Sequence, residues 1–381
     1  MSKNEMGDLE FLQFLQALAE HAEVTNDNIV EEGDVVEKSQ EQCSERPKPE
    51  KSGTGGLHIA SIKEAEYLID THMHFGHSQI GSKVVAYITD PDNHVCGNPG
   101  QYHNLISSYL ALGDSYNALQ LCQYALAKFP FDIDLLANAI RAASDSGESK
   151  IVEKYIADAK SIDKKYWNWR LFLFILDAYQ RKMSQCHPDD MDACYNEAMD
   201  VAKAYQQYIP LDERSYNKEA ELLLMANKVT EARDLLTEKF DRGVLVNGER
   251  RQLVAPQCCV TMLDKILEDT HDYDEIIRIS RRGIQDTAQE QPSSRIGYFV
   301  YRMALALDAQ IVGKNYDVQD DTLLNTLRTY QCAYTLNRER TSYMHTIETR
   351  YTILAQFVKN PEIVKPLTKT VITDPQKEAD E

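Results

Sequence analysis

The sequence predicts an all-α protein whose main body is an α-solenoid, a stack of antiparallel helix pairs. Three observations carry this. From Leu57 onward apolar residues recur at the three- and four-residue intervals of a buried helix face, not in the alternation of a strand. Glycine and proline punctuate the chain at helix-length intervals, as Gly113 and Pro130 do. The pattern of one 34-residue window then returns in the next, the mark of a repeat array rather than a compact bundle.

The elements follow in chain order. Leu9, Phe11, Leu12, Phe14, Leu15 and Leu18 cluster at helical spacing, which predicts a short amphipathic helix over residues 8–22. A helix of that length is marginal alone and needs a surface to cover its apolar side. Residues 23–56 turn acidic and polar and end in ERPKPEKSGTGG, a composition that cannot repay chain ordering and predicts a disordered linker. Next comes SIKEAEYLIDTHMHF, where Ile62, Ala65, Leu68 or Ile69, and His72 fall on one side of a helix; Gly76 stops it, and GSKVVAYITDP supplies a second helix ending at Pro91.

The stretch LIDTHMHFG also resembles the first-strand HxH metal motif of amidohydrolase and TatD-like hydrolases. On a strand Asp70, His72 and His74 would face one ion, and that resemblance implies a metal-dependent hydrolase as the alternative function. The motif works only within a (β/α)8 barrel, and no alternation of strands and helices follows. On a helix the two histidines diverge by about 200° and cannot share an ion.

Residues 101–130 are the most informative. Tyr102, Leu105 and Tyr109 mark one face of a first helix, Gly113 allows a tight turn, Ala118, Leu121, Cys122 and Ala125 mark a second helix, and Pro130 ends it. Counted from Pro99, an aromatic stands at position 4, Leu at 7, Tyr at 11, Gly at 15, Ala at 20 and 27, and Pro at 32. This resembles the tetratricopeptide repeat (TPR), with Ile106 and Cys122 departing from the usual glycine and aromatic. Advanced by 34 residues, the frame holds with Leu136, Gly147 and Ala159. Looser pairs follow: WNWRLFLFILDAYQ with NEAMDVAKAYQQY, then SYNKEAELLLMANKVTEARDLLTEKF, then CVTMLDKILEDTHDYDEIIRISRRGI. Three further helices start at GYFVYRMALALDAQIV, TLLNTLRTYQCAYTL and SYMHTIETRYTILAQFV. The resemblance implies a TPR-like α-solenoid, a right-handed superhelix of antiparallel helix pairs, over residues 57–360, with a tail at 361–381.

Composition bounds the function. Glu5, Asp8 and Glu10 occupy the region where a signal peptide needs basic residues, and no apolar run is long enough to cross a membrane, so a cytoplasmic protein with no membrane partner is expected. The eight cysteines lack CxxC spacing and read as reduced thiols packed like small hydrophobes. A net charge of −19 argues against a nucleic-acid partner. That charge is uneven: residues 1–56 carry 13 acids and 5 bases, whereas residues 276–370 carry 13 bases and 9 acids. The acidic arm is expected to contact the basic end of the same chain, with Arg278, Arg281, Arg282, Arg338 and Arg340 as its landing points.

No residue set demands catalysis. CHPDDMDAC holds Cys186, His187 and Cys194, but its spacing matches no zinc knuckle, and Asp189 and Asp190 suit the first turn of a helix begun by Pro188. Cys258 and Cys259 read as the start of a buried helix, and the GTGG at 53–56 lacks the Lys-Ser/Thr of a phosphate loop. The expectation is a non-enzyme without cofactor or metal. What the TPR resemblance implies is a scaffold, adaptor or regulator that binds another protein or peptide segment in a groove lined by first helices, with the N-terminal helix as a tethered docking or autoinhibitory element. On the two clear repeats the groove positions fall at His103, Asn104, Ser107, Asn138 and Arg141. The family's chaperone-binding clamp would place its five residues at His103, Ser107, Asn138, Asn168 and Phe172, and only Asn138 matches.

Overall fold

The computed structural model describes residue 7 and residues 10–19, 57–74, 78–290, 295–338 and 340–367. The expected linker at 23–56 lies outside these residues. Two compact units divide the chain: Lys48–Leu253, here the repeat unit, and Met1–Pro47 together with Val254–Glu381, here the terminal unit. Nothing in the hydropathy pattern marks the division at Leu253.

The repeat unit is a TPR-like stack. Helix α1 (residues 10–19) belongs to the terminal unit; the repeat unit holds α2 (Ile62–His74), α3 (Ser78–Thr89), α4 (Pro99–Ala111), α5 (Ser115–Lys128), α6 (Ile133–Asp145), α7 (Ser149–Lys160), α8 (Trp169–Gln185), α9 (Pro188–Tyr208), α10 (Glu213–Met225) and α11 (Val229–Arg242). Each first helix packs on its own second helix and on the next first helix: α2 on α4, α4 on α6, α6 on α8 and α8 on α10. The LIDTHMHFG stretch is therefore helical through His74, and the strand that the hydrolase alternative needs is not there.

Local chemistry sets this register. Side-chain oxygens of Asn98, Asp132, Asn168 and Asp212 cap the first helices by accepting from Gln101, Leu135, Leu171 and Arg214 backbone N–H groups. Between α4 and α5 the turn passes through Gly113 at φ 77°, between α6 and α7 through Gly147 at 75°, and between α10 and α11 through Asn227 at 58°. All three turns close alike, with Asp114, Glu148 and Lys228 N–H donating to Tyr109, Ala143 and Leu223 carbonyls at 2.9, 2.9 and 2.8 Å. Alanines at 118, 125, 139, 142, 143 and 159 are fully buried and let the helices approach, while Tyr109 reaches across to donate to the Gly81 carbonyl at 2.8 Å. Phe172 is buried between Trp167 and a stacked Tyr205.

The unit closes with a hairpin that the helical reading does not foresee. Strands β1 (Val244–Val246) and β2 (Glu249–Arg251) pair antiparallel around Asn247 and Gly248, both at positive φ. The Asn-Gly pair between VLV and ERR is the sequence signal for such a turn.

In the terminal unit α12 (Pro256–Thr261) runs into a π-helical turn at Met262–Ile266 and is followed by α13 (Tyr273–Glu290), α14 (Arg295–Gly313), α15 (Asp320–Leu336) and α16 (Thr341–Ala355). Cys258 and Cys259 begin α12 and are buried, as their sequence context suggests. Helices α13 and α14 touch where Gly283 meets the Phe299 ring, so closely that any Cβ there would overlap it. Buried Asp308 on α14 accepts a two-pronged bond from Arg350 on α16 at 2.5 and 2.7 Å and a third from the Tyr330 hydroxyl on α15 at 2.8 Å, tying three helices at one carboxylate.

The shared turn generates a prediction. Nothing crowds a Cβ at Gly113, so only its left-handed backbone resists substitution. Gly113→Ala should cost about 1 kcal/mol in urea denaturation, and Gly113→Asn about half of that, because Asn227 already occupies the equivalent turn. Equal losses for the two variants would break the equivalence of the turns.

Candidate functional site

Side chains of the first helices recur at intervals of four, three and four residues, which places them on one face of each helix. On α6 the stripe is Asp134, Asn138, Arg141 and Asp145; on α8 it is Arg170, Phe174, Asp177 and Arg181; on α10 it is Arg214, Lys218, Glu221 and Met225. The α4 stripe, Gly100, Asn104, Ser107 and Ala111, is smaller, with His103 beside it.

Neighbouring stripes are joined in a repeating way. At the head of the stripes Arg170 lies 3.6 Å from Asp134, whose carboxylate also accepts from the Asn168 amide at 2.8 Å. At their foot Arg181 pairs with Asp145 at 2.6 Å. Between these, Arg141 lies over the Phe174 ring, and one repeat further Lys218 meets Asp177 at 2.8 Å: in each case a third position touches the second position of the next helix. Trp169 has two guanidinium groups against its ring, Arg170 at 5.2 Å and Arg214 at 3.8 Å from its centre. Burial works against the Lys218 ammonium, but Asp177 and Glu221 outweigh it and hold its pKa above the ordinary value. The face is thus charged, half-exposed and internally paired.

His103 and Asn138 are brought together as the repeat frame expects: the Asn138 amide lies 2.8 Å from Nδ1 of the imidazole. Arg170, which sequence reasoning missed, lies 2.8 Å from Nε2. A guanidinium can only donate, so Nε2 accepts, the ring proton sits on Nδ1, and Asn138 turns its side-chain oxygen to that N–H. Burial lowers the His103 pKa; Asp134 pulls it up and Arg170 pushes it down again.

The remaining expected positions divide. Asn104 is exposed, Ser107 is half-buried, and Arg141 is 44% exposed at its side chain while reaching Asp145 at 3.7 Å. Phe172, placed on the binding face by a strict 34-residue frame, is in the core instead. The connection from α7 to α8 carries a 3₁₀ turn at Lys164–Tyr166, and the cap spacing lengthens there from 34 residues, Asn98 to Asp132, to 36, Asp132 to Asn168. Equivalent positions therefore move by two, to Arg170 and Phe174. The four-three-four spacing within α8 and α10 was the available signal for Arg170, Asp177, Arg181, Arg214 and Lys218.

Among the described contacts the five arginines of the terminal unit have different partners. Arg278 donates to both oxygens of Glu275 at 2.7 Å, and Arg282 to Asp286 at 2.7 Å, each on its own helix. Arg338 is exposed, and Arg340 lies over Tyr343. Arg281 lies over the Phe11 ring of the N-terminal helix, 4.9 Å from its centre. Helix α1 buries Phe11, Leu12, Leu15 and Ala19. Phe11 and Leu15 contribute at most about 2–3 kcal/mol each by area.

The CHPDDMDAC stretch is accounted for structurally. His187 caps α9 by accepting from Asp189 N–H, and Cys194 is buried with its thiol toward the Tyr179 carbonyl. Among the described residues no group of three His, Cys, Asp or Glu side chains is placed to hold a metal ion. No described helix is long and apolar enough to cross a membrane.

No family model matches the sequence, and no curated protein matches it. Among solved structures the chain is similar to TTC0263, a thermophilic TPR protein in Thermus thermophilus, at 14% identity over 68% of this chain and 100% of that one, with a TM-score of 0.36. It is similar to human IFIT1, solved as a dimer with PPP-AAAA, at 13% identity over 77% of this chain and 63% of that one, with a TM-score of 0.41. It is also similar to the C-terminal part of a TPR repeat-containing protein from Cytophaga hutchinsonii, at 12% identity over 79% and 97%, with a TM-score of 0.31. The TPR-like character stands on the chain's own recurring turns, caps and stripes.

The protonation of His103 has a measurable sign. Its folded pKa lies below the ordinary value of 6.5, so its contribution to stability is complete above about pH 6.5 and is lost as pH falls through the lower folded value. In nuclear magnetic resonance titration the His103 ring should change below pH 6.5, and Arg170→Met should raise that midpoint. A midpoint at or above 6.5 in the parent chain would contradict burial as the dominant influence on this ring.

Proposed function

We propose that this protein is a non-enzymatic scaffold of the cytoplasm that binds an extended segment of a partner protein on the first-helix face of the repeat unit. The observation that carries the reading is the four-three-four stripe, repeated side by side on α6, α8 and α10 and continued onto α4 around His103. An extended chain rises about 3.3 Å per residue, and packed helices stand about 8–10 Å apart, so every third residue of a bound segment would meet a new stripe. Pairing within the stripes holds the long side chains in place before binding, which lowers the ordering cost of association. Trp169 and Phe174 offer apolar contact, while the half-exposed acids and bases can read both signs of charge on the partner. Helix α1 serves as a tethered docking element, seated in cis on the terminal unit. The hydrolase alternative has no supporting observation, since His72 and His74 stand on α2.

The test is a comparison of two charge-reversed chains. Arg141→Glu with Arg181→Glu alters the face at side chains 44% and 52% exposed, so folding should survive. Lys150→Glu with Lys154→Glu makes the same charge change on α7, where both residues are exposed. Affinity capture followed by mass spectrometry should show the partner lost from the first variant and retained by the second. Retention by both would overturn the reading.

A further inference from the structure

Helix α1 does not fill the surface it sits on. Beside its buried row a cleft of about 480 Å³ remains, bounded by Leu12, Gln13 and Gln16 on one side and by Leu324, Leu327 and Arg328 of α15 on the other. Tyr351 of α16 and residues Ile363 and Val364 continue the wall, and Ile363 is 50% exposed. The Gln331 amide donates to the Tyr351 hydroxyl at 3.0 Å and to the Lys365 carbonyl at 3.1 Å, and the same hydroxyl donates to that carbonyl, so the far wall is fixed by its own hydrogen bonds. Two polar side chains of α1 thus face a cleft with an apolar floor of Leu324 and Leu327, while the apolar row Phe11, Leu12, Leu15 and Ala19 is already used.

We propose that this surface is a receptor for an amphipathic helix of a partner protein, and that α1 is its resident, replaceable occupant. The fitting partner helix carries an aromatic residue where Phe11 meets Arg281, leucine-like residues one and four positions later, and a small residue eight positions later. It differs from α1 in bearing large apolar residues at the places of Gln13 and Gln16, which fill the cleft and give it the advantage over the resident. The resident's advantage is its tether. As part of the same chain the resident meets the surface at a local concentration that a free helix lacks, taken here as about a millimolar. A resident with a dissociation constant of about 100 μM would then weaken binding of a competing helix roughly tenfold. The proposal rests on α1 as a tethered element and not on the first-helix stripes, so loss of the stripe reading leaves it standing.

The experiment uses the full chain and a fluorescein-labelled synthetic peptide of residues 7–22. Leu15→Glu in the full chain should expel the resident helix, and the peptide should then bind roughly tenfold more tightly than to the parent chain. A peptide carrying Gln13→Leu and Gln16→Phe should bind the same variant about fivefold more tightly still. Hydrogen–deuterium exchange provides an independent reading: segments of α13 and α15 should lose protection in Leu15→Glu and regain it on adding peptide. Phe11→Ser serves as a second variant with the same expected result. Equal binding to parent and variant chains, no binding to either variant, or no gain from the two peptide substitutions would each overturn the proposal.

Discussion

One backbone constraint recurs in the repeat unit: at α4–α5, α6–α7 and α10–α11 the first helix reverses into its second through a single residue in the left-handed region. Gly113, Gly147 and Asn227 meet it, and in each turn the N–H one residue later returns to a carbonyl of the first helix's last turn. With that bond in place the second helix starts at a fixed angle, and the buried alanines can sit where two backbones come close. Cap residues at the far end then decide where the next first helix begins. These two fixed points bracket α4, α6 and α10, while α8 is fixed by its Asn168 cap and reverses into α9 through extended backbone at Cys186 and His187; the interlocked pairs from Asp134 to Lys218 accompany that alignment.

The polar face gains little stability from its ion pairs, most of which are substantially exposed and are screened by water. What it gains is order. Arg170 touches Asp134, His103 and Trp169 together, and Lys218 sits among Asp177, Glu221 and Gln180. Long flexible side chains that would otherwise sample many rotamers are held as a surface of defined chemistry. Stability comes instead from the layer beneath, where Tyr102, Tyr109, Phe172 and Tyr205 are buried with the alanines that frame them.

Much of this was legible in sequence because it depends on residues with a narrow range of uses. Gly113 and Gly147, 34 residues apart, announce the turn, and Ala118, Ala125 and Ala159 announce close packing; His103 and Asn138 fall together once that frame is drawn. The frame then fails at α8, because two added residues in the α7–α8 connection displace Phe172 into the core and bring Phe174 to the face. Hydropathy records that a residue is buried but not by what. It therefore marks α1 as needing cover without pointing to Arg281, and it is silent on the division at Leu253. The Asn247-Gly248 hairpin was open to recognition from its dipeptide, though its strands are only three residues each and carry no periodic signal.

The three reversing turns are equivalent in geometry, and amide exchange measures that equivalence most directly. Hydrogen–deuterium exchange of the full chain should show the Asp114, Glu148 and Lys228 amides protected to a similar degree, within about tenfold of the neighbouring helix interiors, because each N–H is held by the same bond. Exchange of any one of them at the rate of an open loop, with the other two protected, would contradict a single repeated turn as what sets the register of α4, α6 and α10.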